Sequence, residues 1–594
     1  MKGNILRRPV MAAAFASSLC VLIATPAMAQ APSANHATST AKQADAAFHA
    51  GYAAANAGDL EKARRSFAEV VRLEPKIPEG HAALGSVLLN LGRPAEAAAE
   101  LKRGLALKPG DANMKMNLAL AEVRAGQSNA ALPLFKELSA QGSALPPEVE
   151  IAYAQALTES GQRPVALGRL RAAVAAAPES AALHDTLGSL LAQDQQWAAA
   201  QQEFARAVEL DPKLVSARLH LGTVLMQLNQ PAEATATLEA ARAEQPQDVA
   251  VLNELALSYA AQGSYDKALP LAQEAIRLAP ESTAAAYQAA IALQGLGRER
   301  EAIPLFKRVV EAEPKNAGAL TNYALALVQQ GQANEAIPLY TRAVALTPDD
   351  PVVHEDFGVA YLQQSNIDDA IREFEAGLKL DSDNQQLHYN LGLAYKLKDD
   401  MAHAIPELEL AARLDPSSPD PAYTLGILYM QAGRFADAEA QLRHTLELRP
   451  QNGDAWAVLG SVYKQDNKLP EAADALRRAI ALLPNQPGPH ITLASVLAEQ
   501  GQRTEAAAER KQAADLTRVA VNRQRATFAT NTGNMLLAKG QVADAIDRYQ
   551  EAVTSDPNFA DAHTGLATAL ARQGRTAEAA AEREKAAGLA KTAQ

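Results

Sequence analysis

The sequence is poor in the residues that most protein chemistry requires. It holds a single cysteine, Cys20, in 594 residues, so no disulfide framework and no cysteine-based metal cluster can form within the chain. Aromatic residues make up only 5%, which points to close helix packing rather than a bulky aromatic core. Lys and Arg (56) are outnumbered by Asp and Glu (68), for a net charge of −12. Nucleic acid as the main partner is thereby disfavoured, since that binding needs clustered bases to displace phosphate counterions. There is no HExxH, no CxxC and no P-loop, and glycines occur singly, as helix punctuation rather than as a phosphate cradle. Past the N-terminal region, no apolar run approaches the ~18–20 residues of a membrane span.

That N-terminal region has its own pattern. Lys2, Arg7 and Arg8 form a basic start, Val10 to Thr25 is mostly apolar, and the small-residue motif "AMA" at 27–29 precedes Gln30. The pattern reads as a signal peptide over 1–29, cut after Ala29, with an uncleaved anchor as the alternative. Cleavage would remove Cys20 and the three bases, moving the net charge from −12 to −15. A soluble periplasmic or secreted protein, with no integral span after cleavage, is the expectation. Residues 30–43, "QAPSANHATSTAKQ", are polar and aperiodic and read as a flexible linker.

What fills the rest is a repeat. Prolines recur at 75 and 109, at 178, 212, 246, 280, 314 and 348, and again at 416, 450 and 484, in steps of 34 residues. With the proline at position 32 of each unit, position 20 is alanine sixteen times, from Ala63 to Ala579. Position 8 is always glycine or alanine, and position 24 is usually large, as at Phe67, Phe204, Phe306 and Tyr340. Positions 4, 7, 8 and 11 share one helical face, as do Leu320, Tyr323, Ala324 and Leu327. A glycine-type break at positions 14–16 ends this first helix, and a second amphipathic helix follows. Prolines 94, 164, 231 and 470 suit that helix's first turn, and prolines 270, 304, 338 and 406 sit about one turn further in, where the spacing predicts no lost ladder bond. One unit buries too little surface to fold alone, so neighbours must cover its apolar faces.

The period and these positions resemble the tetratricopeptide repeat (TPR) family over most of the chain. The resemblance implies an all-α fold: an α-solenoid, a right-handed superhelix of about sixteen helix-turn-helix repeats. It divides the chain into repeats 1–3 (44–146), repeats 4–14 (147–525, the last with a lengthened second helix) and repeats 15–16 with a C-terminal cap (526–594). Two departures stand out. "SAQGSALPPE" (139–148) adds one residue and two prolines, a loop expected to loosen the stack. The fourteenth unit is five residues too long, has Arg518 in place of the proline, and shows no breaker until Gly533. Its Arg510, Lys511, Arg518, Arg523 and Arg525 form either a solvated helix face or a basic docking face for an acidic partner.

Six histidines (81, 184, 354, 388, 490 and 563) share position 4, where the family packs side chains between helices. Equivalent residues of adjacent repeats lie about 8–10 Å apart, too far to share one zinc ion, so a structural role is expected and no metal. The repeats leave no stretch for a separate catalytic domain; neither enzymatic activity nor a cofactor is expected.

In the family the first helices line a concave groove at positions 2, 5, 6, 9, 12 and 13. Here those positions are dominated by acids, Glu355, Asp356 and Asp454 among them. Tyr287, Gln288, Asn322, Gln363, Tyr389, Asn390, Tyr423, Gln431 and Gln465 add amides, which donate and accept together, and phenols with large contact area. The family's two-carboxylate clamp is absent, because Glu355 and Val359 precede Asn390, and Asp420 and Thr424 follow it. The resemblance therefore implies a protein-binding scaffold in the cell envelope, taking a neutral or basic extended segment into an acidic groove. A polysaccharide-assembly scaffold and a passive spacer stay open beside it.

Overall fold

The computed structural model describes residues 39–140 and 144–592. There the chain forms thirty-one α-helices, numbered in chain order from α1 (Ser39–Asn56) to α31 (Thr576–Thr592). They pair as antiparallel hairpins, and within residues 39–346 and within residues 347–592 each helix packs on its neighbours in sequence, as α17 (Ala317–Gln329) does on α16 (Glu299–Ala312) and α18 (Ala333–Leu346). The fold is an all-α solenoid. It divides into two compact units, one ending at Leu346 and one beginning at Thr347.

The sequence positions explain the hairpin. Position 20 is sealed in every unit, with alanines 63, 97, 268 and 472 at 0% exposure. Position 8 of the first helix lies against the position-24 side chain of the second. A Cβ on Gly85 would come within 2.5 Å of Leu101, and one on Gly188 within 2.8 Å of Phe204. In these two hairpins the helices close because the first helix carries no side chain there, and other units carry at most the methyl of alanine. Position 15 adopts a left-handed conformation in all sixteen units. Eleven use glycine, but Gln195, Asn229, Ser365, Asp399 and Asn467 take φ between 58° and 61°, a conformation costly for a residue with a Cβ. Many first helices begin on a capping side chain, as Asn316 accepting from the Ala319 N–H and Asn452 from the Ala455 N–H.

Several expectations need correcting. The proposed signal segment 1–29 and Cys20 lie outside the described residues, as does most of the 30–43 linker. From Ser39, however, the chain is already helical, and Ala44 is 3% exposed. No turn-forming residue follows Ser39, so the first helix extends by a turn beyond the repeat. Prolines 270, 304, 338 and 406 are each the sixth residue of their helices, not within the first turn. Each therefore forfeits one ladder bond. The loop after α6 (Ser128–Ala140) does not open the stack. Phe135 on α6 stacks on Tyr153 of α7 (Pro147–Glu159) at 4.9 Å, inside a single core that reaches Phe204.

The largest correction concerns the fourteenth repeat. Its second helix does not stop at Gly533; it runs on as α28 (Arg503–Ala538), 36 residues long, into the first helix of the fifteenth. The expected boundary between 525 and 526 thus falls inside one helix. Without a position-32 proline or a left-handed residue, nothing interrupts the ladder. Gly533 is there for packing, since a Cβ would meet the Tyr549 ring at 2.8 Å. Among the described residues, no helix is long and apolar enough to cross a membrane.

Candidate functional site

The position-4 histidines are bound into the scaffold. His81, His184, His354 and His388 each place Nδ1 at 2.6–2.7 Å from the glutamate nineteen residues on, at position 23 of the same hairpin. Their Nε2 atoms lie 2.9–3.1 Å from the carbonyl oxygen six residues back, at the end of the preceding repeat. His563 repeats both contacts, with Glu582 and Pro557, and His490 the first, with Glu509. Trp456 keeps only the second, donating Nε1–H to the Pro450 carbonyl at 3.0 Å. At His354 the carbonyl of Pro348 and the carboxylate of Glu373 both accept, an arrangement that favours the imidazolium. The bond to Glu373 accordingly holds His354 above its ordinary value, against the opposing effect of burial. In the fourth repeat the same positions carry the reversed pair, Glu150 accepting from Arg169 at 2.8 Å. Among the described residues, no group of His, Cys, Asp and Glu is arranged to hold a metal ion.

The expected groove residues lie on the first helices, in two separate stretches. In the unit ending at Leu346, Tyr287 and Gln288 on α15 (Thr283–Gly295) and Asn322 on α17 are buried, at 4%, 7% and 1% exposure. Asn322 donates to the Tyr287 hydroxyl at 2.7 Å. Beside them on α13 (Val249–Ala261) sits Glu254, whose carboxyl burial pushes up to about 7 from 4.5, a bond from Thr223 opposing. Its Oε2 has no hydrogen-bond partner, and neither has Gln288 Oε1.

In the unit beginning at Thr347, the row runs through α19 (Pro351–Gln363), α21 (Gln385–Leu397), α23 (Pro419–Gln431) and α25 (Gly453–Gln465). Glu355, Asp356, Tyr389 and Tyr423 are half-buried; Gln363, Gln431, Asp454 and Gln465 are exposed along its edge. Asn390 is buried and donates to Glu355 at 3.4 Å, and Thr424 hydrogen-bonds the Tyr389 phenol. Burial raises both tyrosine pKa values. Positions 5 and 6 thus pair from one repeat to the next, 35 residues apart. Asp185 and His220 do the same at 2.7 Å. Reading the repeats one at a time missed this ladder; writing position 5 of each against position 6 of the next would have shown it.

The five bases of α28 do not form one docking face. Arg518 is paired with Asp515 at 2.9 Å, and Arg523 with Asp556 while stacked 5.0 Å over the Phe559 ring. At ~100° per residue, Arg523 points well away from the side that Arg510, Lys511, Arg518 and Arg525 share. Those four are exposed.

Family profiles described as tetratricopeptide repeats match residues 48–112, 82–148, 219–283 and 259–317, and a TPR repeat profile matches 533–574. The C-terminal domain profile of cilia and flagella-associated protein 70, itself a TPR domain, matches 289–530. The chain is a multi-TPR protein. No curated protein matches this TPR chain significantly. Among solved structures, the chain is similar to one titled as the APC/C hetero-tetramer Cut9–Hcn1, at 17% identity and TM-score 0.44, covering 77% of this chain and 96% of that one. It is also similar to MamA (25% identity, TM-score 0.27, covering 27% and 94%). A third is YrrB, titled a TPR protein with an unusual peptide-binding site (22%, TM-score 0.28, covering 31% and 95%). TPR repeats mediate protein–protein interaction and are generally non-enzymatic, and the chain is an interaction scaffold in that sense.

Proposed function

We propose that this TPR scaffold binds a neutral or basic extended segment along the first helices of the unit that begins at Thr347, and that it does so in the cell envelope. The observation that carries the groove reading is the row itself. Acids, phenols and amides at positions 5 and 6 follow one another on α19, α21 and α23, already oriented by repeat-to-repeat hydrogen bonds. Side chains so held lose little entropy when a ligand arrives. Carboxylates and amide oxygens accept from backbone N–H, lysine or arginine groups, and half-buried tyrosines supply apolar contact. The envelope part rests on the signal-like pattern of residues 1–29.

The test is fluorescence anisotropy of extended peptides, one set rich in Lys and Arg, one neutral and one acidic, on the full chain. Glu355→Lys with Asp356→Lys is expected to weaken the basic set by tenfold or more. Equal binding of acidic and basic sets, or no effect of the double reversal, would reject the acidic groove. Fractionation of the expressing cells checks the location; a cytoplasmic full-length product would reject it.

A further inference from the structure

Repeats in this chain meet through fixed positions. Within a unit, position 10 of a first helix meets position 21 of the preceding second helix, as Ser258 Oγ meets Thr235 Oγ1 at 2.6 Å. Position 3 lies against position 27, where Met114 presses on Gly104. Positions 3 and 10 are buried in repeats 2 to 14 and in repeat 16. They are exposed in the first repeat, which has no predecessor and carries the small Ala46 and Ala53 there. They are exposed again in the fifteenth, where they are Phe528 (75%) and Met535 (60%).

The other side of the junction shows the same break. Positions 5 and 21 are exposed together only in the final repeat, as Thr564 and Ala580, and in the fourteenth, as Ile491 and Ala507. The chain thus has an internal end face and an internal start face, and unlike the outer ends both display large apolar side chains. The end face is hollow. Arg510 stands at position 24, where a large apolar residue is usual, and borders an open cleft of about 730 Å³ together with Ile491, Ala513, Thr517, Arg518 and Val521. The start face presents two large apolar side chains toward solvent, Phe528 and Met535.

These two halves cannot meet within one copy while α28 is intact. Ala507 and Met535 are 28 residues apart on the same helix, which at 1.5 Å per residue separates them by about 42 Å along its axis. We propose that the fourteenth repeat of one copy receives the fifteenth repeat of a second copy, and reciprocally. The result is a closed two-fold dimer in which Phe528 and Met535 seat on Ala507, Ala513 and Ile491. The interface continues the junction that already joins the other repeats. Closure at two requires that both contacts form between the same two copies; a chain of single contacts would run on into a filament, so a ladder of higher masses would overturn the closed form.

The test uses the full chain with Cys20→Ser as background. Sedimentation equilibrium at micromolar concentration is expected to give twice the chain mass, and Phe528→Asp with Met535→Asp to restore the single mass; both side chains are exposed in one copy, so folding is retained. Ala507→Cys with Met535→Cys is expected to form, on mild oxidation, a disulfide that doubles the mass on non-reducing gels. Neither single cysteine variant should do so through this contact. A monomeric parent, or a disulfide closing within one chain after α28 breaks near 519–525, would overturn the proposal.

Discussion

Glu254 offers the clearest quantitative test of how the first helices are packed. Its carboxyl is buried on α13, one oxygen has no partner, and burial raises its pKa to about 7 from 4.5. The folded chain therefore holds this proton more tightly than the unfolded chain. The stabilisation is complete below the unfolded value near 4.5 and is lost as pH rises through about 7. A shift of two and a half units at 1.36 kcal/mol each comes to about 3 kcal/mol between those limits. Glu254→Gln keeps the shape and an acceptor for Thr223 but removes the ionisation. Relative to the parent, the variant should gain about 3 kcal/mol in local stability between pH 4.5 and pH 8. Repeat stacks open locally, so the suitable readout is hydrogen exchange of the α13 amides as a function of pH, with urea unfolding alongside. A difference between variant and parent that stays constant from pH 4.5 to pH 8 would refute the reasoning, because it would mean that Glu254 is not buried as a neutral acid.

Other outcomes follow from the repeat geometry. Gly188→Val should destabilise its hairpin by about 1–3 kcal/mol, since the added carbons enter the Phe204 ring; chemical denaturation measures it. Ser365→Gly should stabilise by about 1 kcal/mol by relieving a residue held at φ 58°, also read by denaturation. His354→Gln should remove a stabilisation that is full below the histidine's unfolded value near 6.5 and fades as pH climbs through its raised folded value. The parent–variant gap should therefore be wide at pH 5.5 and narrow at pH 9.

Much of the fold was legible because each repeat restates the same local instruction. Alanine at 20, a small residue at 8 and a breaker at 14–16 are decided within one hairpin, so the helix pairs could be placed by counting. The histidine role was legible as structural, but its partner was not. Position 23 was never singled out, although a glutamate stands nineteen residues after each of the six. The residues expected to line a groove lie on first helices, and several are spent on one another. Asn322 and Asn390 donate to the neighbouring repeat, a use that appears only when adjacent repeats are superposed.

Composition and period were enough for the helical hairpins and for which residues stand on the first helices, since those depend on contacts a few residues apart. Whether the stack continues across a given junction was not, because that depends on how one helix ends against a surface thirty-four residues away. At α28 the missing proline and five surplus residues indicated a lengthened second helix, but not where it ends. The packed structure shows one continuous helix from Arg503 to Ala538, and with it a pair of faces that no local pattern reveals, because exposure belongs to the assembled surface and not to any residue in the string.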